Sequence, residues 1–182
     1  MTQSKSINGI TLRLEIGDIT DLEIEAFVFY ARGDLELGAG FGNAIAMRGG
    51  MAIKKELNAI GKLEPCQAVV TKAGGLKAEY IIHANGPKFQ ESNLANKLKQ
   101  TMINTLSVAD EKQIKQLAFP AMGAGFYGIS PTECARVMYD TIQEYIMQNN
   151  SGIKEIIICL LDNRQYKPFE AQYQALNQRT SS

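Results

Sequence analysis

The chain changes its apolar period several times, and each change predicts an element. Ile10–Ile16 (ITLRLEI) alternates apolar and polar residues, as a half-buried strand does. Ala26–Tyr30 (AFVFY) is apolar throughout, as expected for a buried strand. Residues 40–57 follow a helical pattern that Gly49 and Gly50 divide into two pieces. Ala68–Lys72 (AVVTK) and Tyr80–Ala84 (YIIHA) predict two more strands, separated by a Gly74-Gly75 turn signal. Ser92 is placed to cap a helix over 93–111, where Leu94, Leu98, Met102 and Leu106 recur every fourth residue as one apolar stripe. The run LAFPA at 117–121 ends a strand. Ser130-Pro131 opens the next helix, with Pro at the first helical position, where its missing N–H costs nothing. Ala135, Met138, Ile142, Tyr145 and Ile146 share one side of that helix. Residues 155–161 (EIIICLL) form the most apolar strand, and 165–177 predict a last helix. The polar ends, 1–9 and 178–182, are expected to be loose.

Strands alternating with helices imply an α/β domain with a largely parallel sheet. Runs such as IIICLL require helices on both faces of that sheet. With 182 residues and no repeat, low-complexity tract or linker, the chain reads as one domain over 1–182 with its core at 10–177. Ligands of open parallel sheets sit beyond the carboxyl ends of the strands, so the loops after strands are where chemistry is sought.

Composition excludes more than it assigns. Nineteen basic and nineteen acidic side chains balance, which argues against a long nucleic-acid partner. No stretch has the roughly 18–20 apolar residues of a membrane helix, and the N-terminus lacks a signal-peptide layout; a cytoplasmic location and no membrane partner are expected. Cys66, Cys134 and Cys159 lack the close paired spacing of a disulfide framework or zinc site and read as free thiols. With one histidine, His83, a His-rich metal site is impossible; no metal or cofactor is expected. His83 lies in an apolar strand and reads as structural rather than catalytic.

Three loops carry candidate chemistry. Gly17-Asp18-Ile19-Thr20 follows the first strand. Gly38, Ala39, Gly40, Phe41 and Gly42 run into a helix. Gly123, Ala124, Gly125, Phe126, Tyr127 and Gly128 follow the AFPAM run. Glycines let successive backbone amides converge on an oxyanion, and a helix N-terminus adds about half a positive charge. Two such loops facing one another would clamp a diphosphate without lysine or arginine. Either loop alone reads equally well as a turn. Neither is a Walker motif, and Asn43 breaks the dinucleotide fingerprint.

In their order and spacing these pieces resemble the macrodomains, a family that binds ADP-ribose. The resemblance runs over roughly 10–165: GDIT at 17–20, LELGAGFGNAI at 35–45, AVVT and YIIHANGP in the middle strands, and FPAMGAGFYG at 119–128. It implies a three-layer α/β/α sandwich with a mixed, largely parallel sheet. It also implies that Asp18 accepts from the adenine amino group and that the Ile19 amide donates to a ring nitrogen. An ionised carboxylate accepts only, which suits an exocyclic amine. The competing reading of Asp18 is an Asx turn after the strand. The amides of Gly38, Ala39, Gly40, Phe41, Gly42, Gly123, Ala124, Gly125, Phe126 and Tyr127 would hold the phosphates, and Phe126 and Tyr127 would wall the distal ribose. Core packing remains the alternative for Phe126.

Three departures separate the chain from the family pattern. Where many macrodomains read V-N-A-A-N, this chain has Val28-Phe29-Tyr30-Ala31-Arg32, so both asparagines are lost. The catalytic aspartate of one large hydrolase branch aligns with Gly42, and Leu161 precedes Asp162 where some members stack an aromatic ring on adenine. Arg32 can pair with a phosphate or a terminal ribose group, or face solvent. Tyr30 reads as core. The resemblance implies a binding module for ADP-ribose or an ADP-ribosylated protein. A hydrolase of an ADP-ribose linkage, or of ADP-ribose-1″-phosphate, with a non-standard residue set is one alternative; a diverged scaffold with another nucleotide-like ligand is a second.

Overall fold

A computed structural model of the chain describes residues 2–124 and 128–179. In chain order the elements are β1 (Thr2–Ile7), β2 (Ile10–Ile16), a single 3-10 turn at Ile19–Asp21, β3 (Ala26–Tyr30), α1 (Phe41–Gly49), α2 (Met51–Ile60), β4 (Ala68–Lys72) and β5 (Tyr80–Ala84). They continue with α3 (Leu94–Glu111), β6 (Gln116–Phe119), α4 (Pro131–Gln148), β7 (Glu155–Leu160) and α5 (Asn163–Arg179). All seven strands join one sheet in the order β1-β2-β7-β6-β3-β5-β4. The inner pairings β2–β7, β7–β6, β6–β3 and β3–β5 are parallel, and the outer pairs β1–β2 and β4–β5 are antiparallel.

Strand alternation sends apolar side chains to both faces, which is why the inner strands read as continuous runs. Ala26, Val28, Ile82, Ile156 and Ile158 pack with Leu98, Met102, Leu106, Met138, Tyr139 and Phe169 of α3, α4 and α5. Phe27, Ile81 and Ile157 pack on the other face with Ile45, Ile53 and Leu57 of α1 and α2. The result is the expected α/β/α layering around a mixed, largely parallel sheet.

Four local expectations are corrected. Residues 2–7 form edge strand β1, hydrogen-bonded to β2 from Thr2↔Glu15 to Ile7↔Ile10. Its composition is polar because it buries little besides Ile7; the signal was the Asn8-Gly9 turn, both residues at positive φ (48° and 81°), suited to a tight hairpin. Tertiary contacts hold it: Gln3 Nε2 donates to Tyr166 Oη at 3.0 Å, and the Lys5 ammonium lies 3.7 Å over the Tyr173 ring. Ser92 does not cap α3; Asn93 precedes the helix in the left-handed region (φ 58°, ψ 40°) and makes no side-chain cap. Helix α5 starts at Asn163 rather than 165, because Asp162 Oδ1 accepts from the Arg164 and Gln165 amides at 2.9 and 3.1 Å. Strand β6 stops at Phe119, before Pro120-Ala121. Ser130 behaves as read: its hydroxyl accepts from the Glu133 amide at 3.2 Å.

Candidate functional site

The parallel strands β2, β3, β6 and β7 finish at the same end of the sheet, and the segments following them converge there. They line one cleft of about 520 Å³. Ile19 and Thr20 enter from the turn after β2, Gly38, Ala39, Gly40 and Phe41 from the segment after β3, and Gly123 and Ala124 from the segment after β6. Gln165 enters from the first turn of α5. The volume lies within the range of small-molecule sites.

The first glycine-rich loop ends as the N-terminus of α1. Its cap residue Gly40 has φ 64° and ψ −127°, a backbone conformation that a side chain would strain. No side chain caps α1, so its first amides are free to meet a ligand. The second loop leaves β6 over a packed floor. Cys134 Sγ donates to the Met122 carbonyl at 2.9 Å, and Ala124 bridges to Ile129. Burial pushes the Cys134 thiol up to about 12, so it serves as a donor and not as a nucleophile. Gly123 has φ 76°, and a Cβ there would sit 3.0 Å from Ile129 Cδ1. Gly125, Phe126 and Tyr127, expected at the phosphates and distal ribose, lie outside the described residues.

Asp18 stands just before the lining residues Ile19 and Thr20 and forms the turn considered for it after the strand. It caps the 3-10 turn: Oδ1 accepts from the Thr20 amide at 2.9 Å and from the Thr20 hydroxyl at 2.6 Å. Oδ2 accepts from Arg48 Nη1 at 3.0 Å, and the same nitrogen donates to Thr20 Oγ1 at 2.7 Å. A carboxylate has about four lone-pair sites, so Oδ2 keeps one for a ligand donor. Partial burial raises the pKa of Asp18, but the Thr20 hydroxyl, the Thr20 amide and the Arg48 guanidinium together outweigh that and hold it below its ordinary value. Arg48, in the last turn of α1, escaped the sequence reading; nothing along the chain signals a contact thirty residues away.

Bulky residues build the opposite wall. The Phe29 ring stands edge-on to His83, centroids 6.0 Å apart. A Cβ on Gly42 would lie 3.3 Å from Phe29 Cζ and 3.2 Å from the Leu37 backbone. The two departures from the family pattern therefore meet in space: a side chain at 42 would be crowded by the Leu37 backbone and by the ring at 29. Gly42 is buried and outside the cleft lining. Tyr30, read as core, also lines the cleft. Its hydroxyl donates to the Pro87 carbonyl, and its ring lies so close to Gly86 that a Cβ there would be 2.5 Å away. Arg32 reaches the lining with its guanidinium 2.5 Å from Asp34 Oδ2. Glu36 also lines the cleft and was not singled out in the sequence.

Leu161 and His83 also lie outside the cleft lining. The Leu161 side chain is 52 % exposed outside it, while its amide donates to Gln165 Oε1 at 3.2 Å. His83 is buried, with Nε2 2.9 Å from Thr71 Oγ1 across the β4–β5 pair. Burial lowers its pKa to about 4, which keeps the ring neutral and structural.

The comparisons with known proteins agree with this geometry. The family model described as Macro domain matches residues 31–138, more than half of the chain. The chain is a macrodomain. A macro domain-containing protein of Caldanaerobacter subterraneus subsp. tengcongensis is 37 % identical over 172 residues, covering 91 % of this chain and 97 % of the relative. One from Listeria monocytogenes serovar 1/2a is 36 % identical over 158 residues, 83 % of this chain and 90 % of that one. Among solved structures, a mutant of the Oceanobacillus iheyensis macrodomain with ADPR superposes with a TM-score of 0.89 at 25 % identity, covering 98 % of this macrodomain and 100 % of that chain. A Trypanosoma brucei macrodomain in complex with ADP-ribose gives 0.82 at 21 % identity, over 89 % and 68 %. At that lower identity the likeness concerns the fold.

Proposed function

We propose that this macrodomain binds ADP-ribose, free or attached to a protein, and holds its diphosphate by backbone amides. The observation that carries the reading is the single cleft lined by both glycine-rich segments, Gly38 to Phe41 at the N-terminus of α1 and Gly123-Ala124 after β6. Asp18 and the Ile19 amide would read adenine beside it; Gly125, Phe126 and Tyr127 would complete the second loop. Leu161, outside the lining, would meet the base only at its edge. The Oceanobacillus iheyensis macrodomain mutant with ADPR supports the ligand class. Calorimetric titration with ADP-ribose and with ADP tests it: saturable heat is expected with both, and none at millimolar concentration sinks the reading. No described helix is long and apolar enough to cross a membrane, and a cytoplasmic location goes with a nucleotide-derived ligand.

Hydrolysis of an ADP-ribose linkage is a second reading, and one observation favours it: Glu36, an exposed acidic residue, is among the residues that line the cleft, with Arg32 and Gly38. A carboxylate within reach of a water can act as a general base. Release of ADP-ribose from a mono-ADP-ribosylated protein by the wild type, abolished in Glu36→Gln, supports hydrolysis. Equal release by both, or none by either, removes it.

A further inference from the structure

A second cleft opens beside the first and shares Tyr30 and Arg32 with it. It measures about 660 Å³ and lies where the segments after β3, α2 and β5 meet. We infer that this groove receives the polypeptide segment to which the ADP-ribose is attached; the inference rests on the ADP-ribose reading of the first cleft.

Tyr30 is the partition. With its hydroxyl on the Pro87 carbonyl and its ring against Gly86 and Gly123, it stands between the two spaces. On the ADP-ribose reading, with adenine beside Asp18 and the diphosphate at the glycine segments, the far end of the ligand lies toward Tyr30 and Arg32, the two residues that line both clefts. The groove floor is built. Asn85 Nδ2 donates to the Leu63 carbonyl at 2.8 Å, and the Leu63 backbone amide donates to the Gly33 carbonyl at 2.8 Å. A Cβ on Gly33 would sit 3.0 Å from Asn85 Nδ2, so glycine permits that close approach.

The chemistry around this floor suits a peptide better than a second nucleotide. A nucleotide brings a base that wants an aromatic face and phosphates that want the free amides of a helix N-terminus or a cluster of cations, and no described helix begins among the groove's lining residues. Tyr30 is the one aromatic ring among the groove's described lining residues, and Gly86 already covers it. The charges are mixed. Arg32 pairs with Asp34 at 2.5 Å and Lys62 with Glu64 at 3.2 Å, with Lys88 as the additional cation. Exposed side chains of both signs, with one cation in excess, match a polypeptide bearing acidic residues near its attachment point.

The test is calorimetry on the full chain with four probes. These are free ADP-ribose, a short acidic peptide carrying one ADP-ribose on a central side chain, the same peptide unmodified, and a short ADP-ribose oligomer. The modified peptide is expected to bind about tenfold tighter than free ADP-ribose. In Lys62→Glu/Lys88→Glu that advantage disappears while the affinity for free ADP-ribose is unchanged, since neither lysine lines the first cleft. Equal affinity for modified peptide and free ADP-ribose overturns the groove, as does an advantage that survives the double variant. A gain for the oligomer without one for the peptide overturns it in favour of a nucleotide groove. Failure of free ADP-ribose to bind overturns the underlying reading, and this one with it.

Discussion

At one end of the cleft Asp18, Thr20 and Arg48 form a closed hydrogen-bonded unit; at the other, Phe29 and Tyr30 pack rings where the family pattern has asparagine and alanine. The first end is polar and held in place by its own hydrogen bonds. The second is held by packing, and its polar groups are already engaged: Tyr30 donates to Pro87 and Arg32 pairs with Asp34. Between them lie the glycine segments, whose contribution is main chain. The contrast teaches that an arrangement of backbone amides survives replacement of neighbouring side chains, whereas an arrangement of specific amide and carboxylate side chains does not.

The widest break is expected between the ends. Gly123→Glu forces a side chain onto a backbone at φ 76°, against Ile129, and puts a carboxylate where phosphate is proposed to sit. Affinity for ADP-ribose should fall more than about a hundredfold by calorimetry, and stability by about 1–3 kcal/mol in urea unfolding.

Next comes the aromatic end alone. Gly42→Asp restores the family carboxylate but drives it against Phe29, and it should cost about 1–3 kcal/mol of stability by overpacking. In a Phe29→Ala background the same change should cost less. A coupling of about 0.5 kcal/mol or more in the double-mutant cycle is expected; additive costs would show that the two positions do not compete for space.

The polar end is sharpened by Asp18→Ala. Loss of a hydrogen bond to a charged group predicts about 1–3 kcal/mol weaker binding. The loss should be equal for ADP and ADP-ribose, because both carry adenine. A loss confined to ADP-ribose would move Asp18 away from the base.

The smallest effect is expected at Arg48. Both partners of its ion pair with Asp18 are about half exposed, so Arg48→Met should weaken ADP-ribose by well under about 1 kcal/mol. Its signature is in pH. The native pKa of Asp18 is depressed, so its contribution is present above the ordinary carboxylate range and is lost only as pH falls through the depressed value. Removing Arg48 should shift that loss of affinity to higher pH in titrations at stepped pH. An unshifted profile would assign the depression to Thr20 alone.

The inner strands were legible because burial on both faces leaves an uninterrupted apolar run, and the expected spans 26–30 and 80–84 are those of β3 and β5; the span 68–72 is that of edge strand β4. Strand β1 was not, because an edge strand tied by Gln3 and Lys5 to α5 needs little apolar pattern of its own. At the site, the glycine loops and Asp18 stand out locally, since turn and cap chemistry is written in adjacent residues. Arg48, Glu36 and Gln165 do not, since each acquires its place from a neighbour brought near by folding.

By itself the sequence determined the layers of this macrodomain, the positions of its loops and the family to which they belong. Periodicity and turn residues act over a few neighbours, and these features need nothing longer. Only the tertiary structure decided that Phe29 and Gly42 meet in space, that Arg48 holds Asp18, and that Tyr30 divides two clefts. Those are contacts between side chains far apart in the chain, and their energies depend on distances that no local pattern encodes.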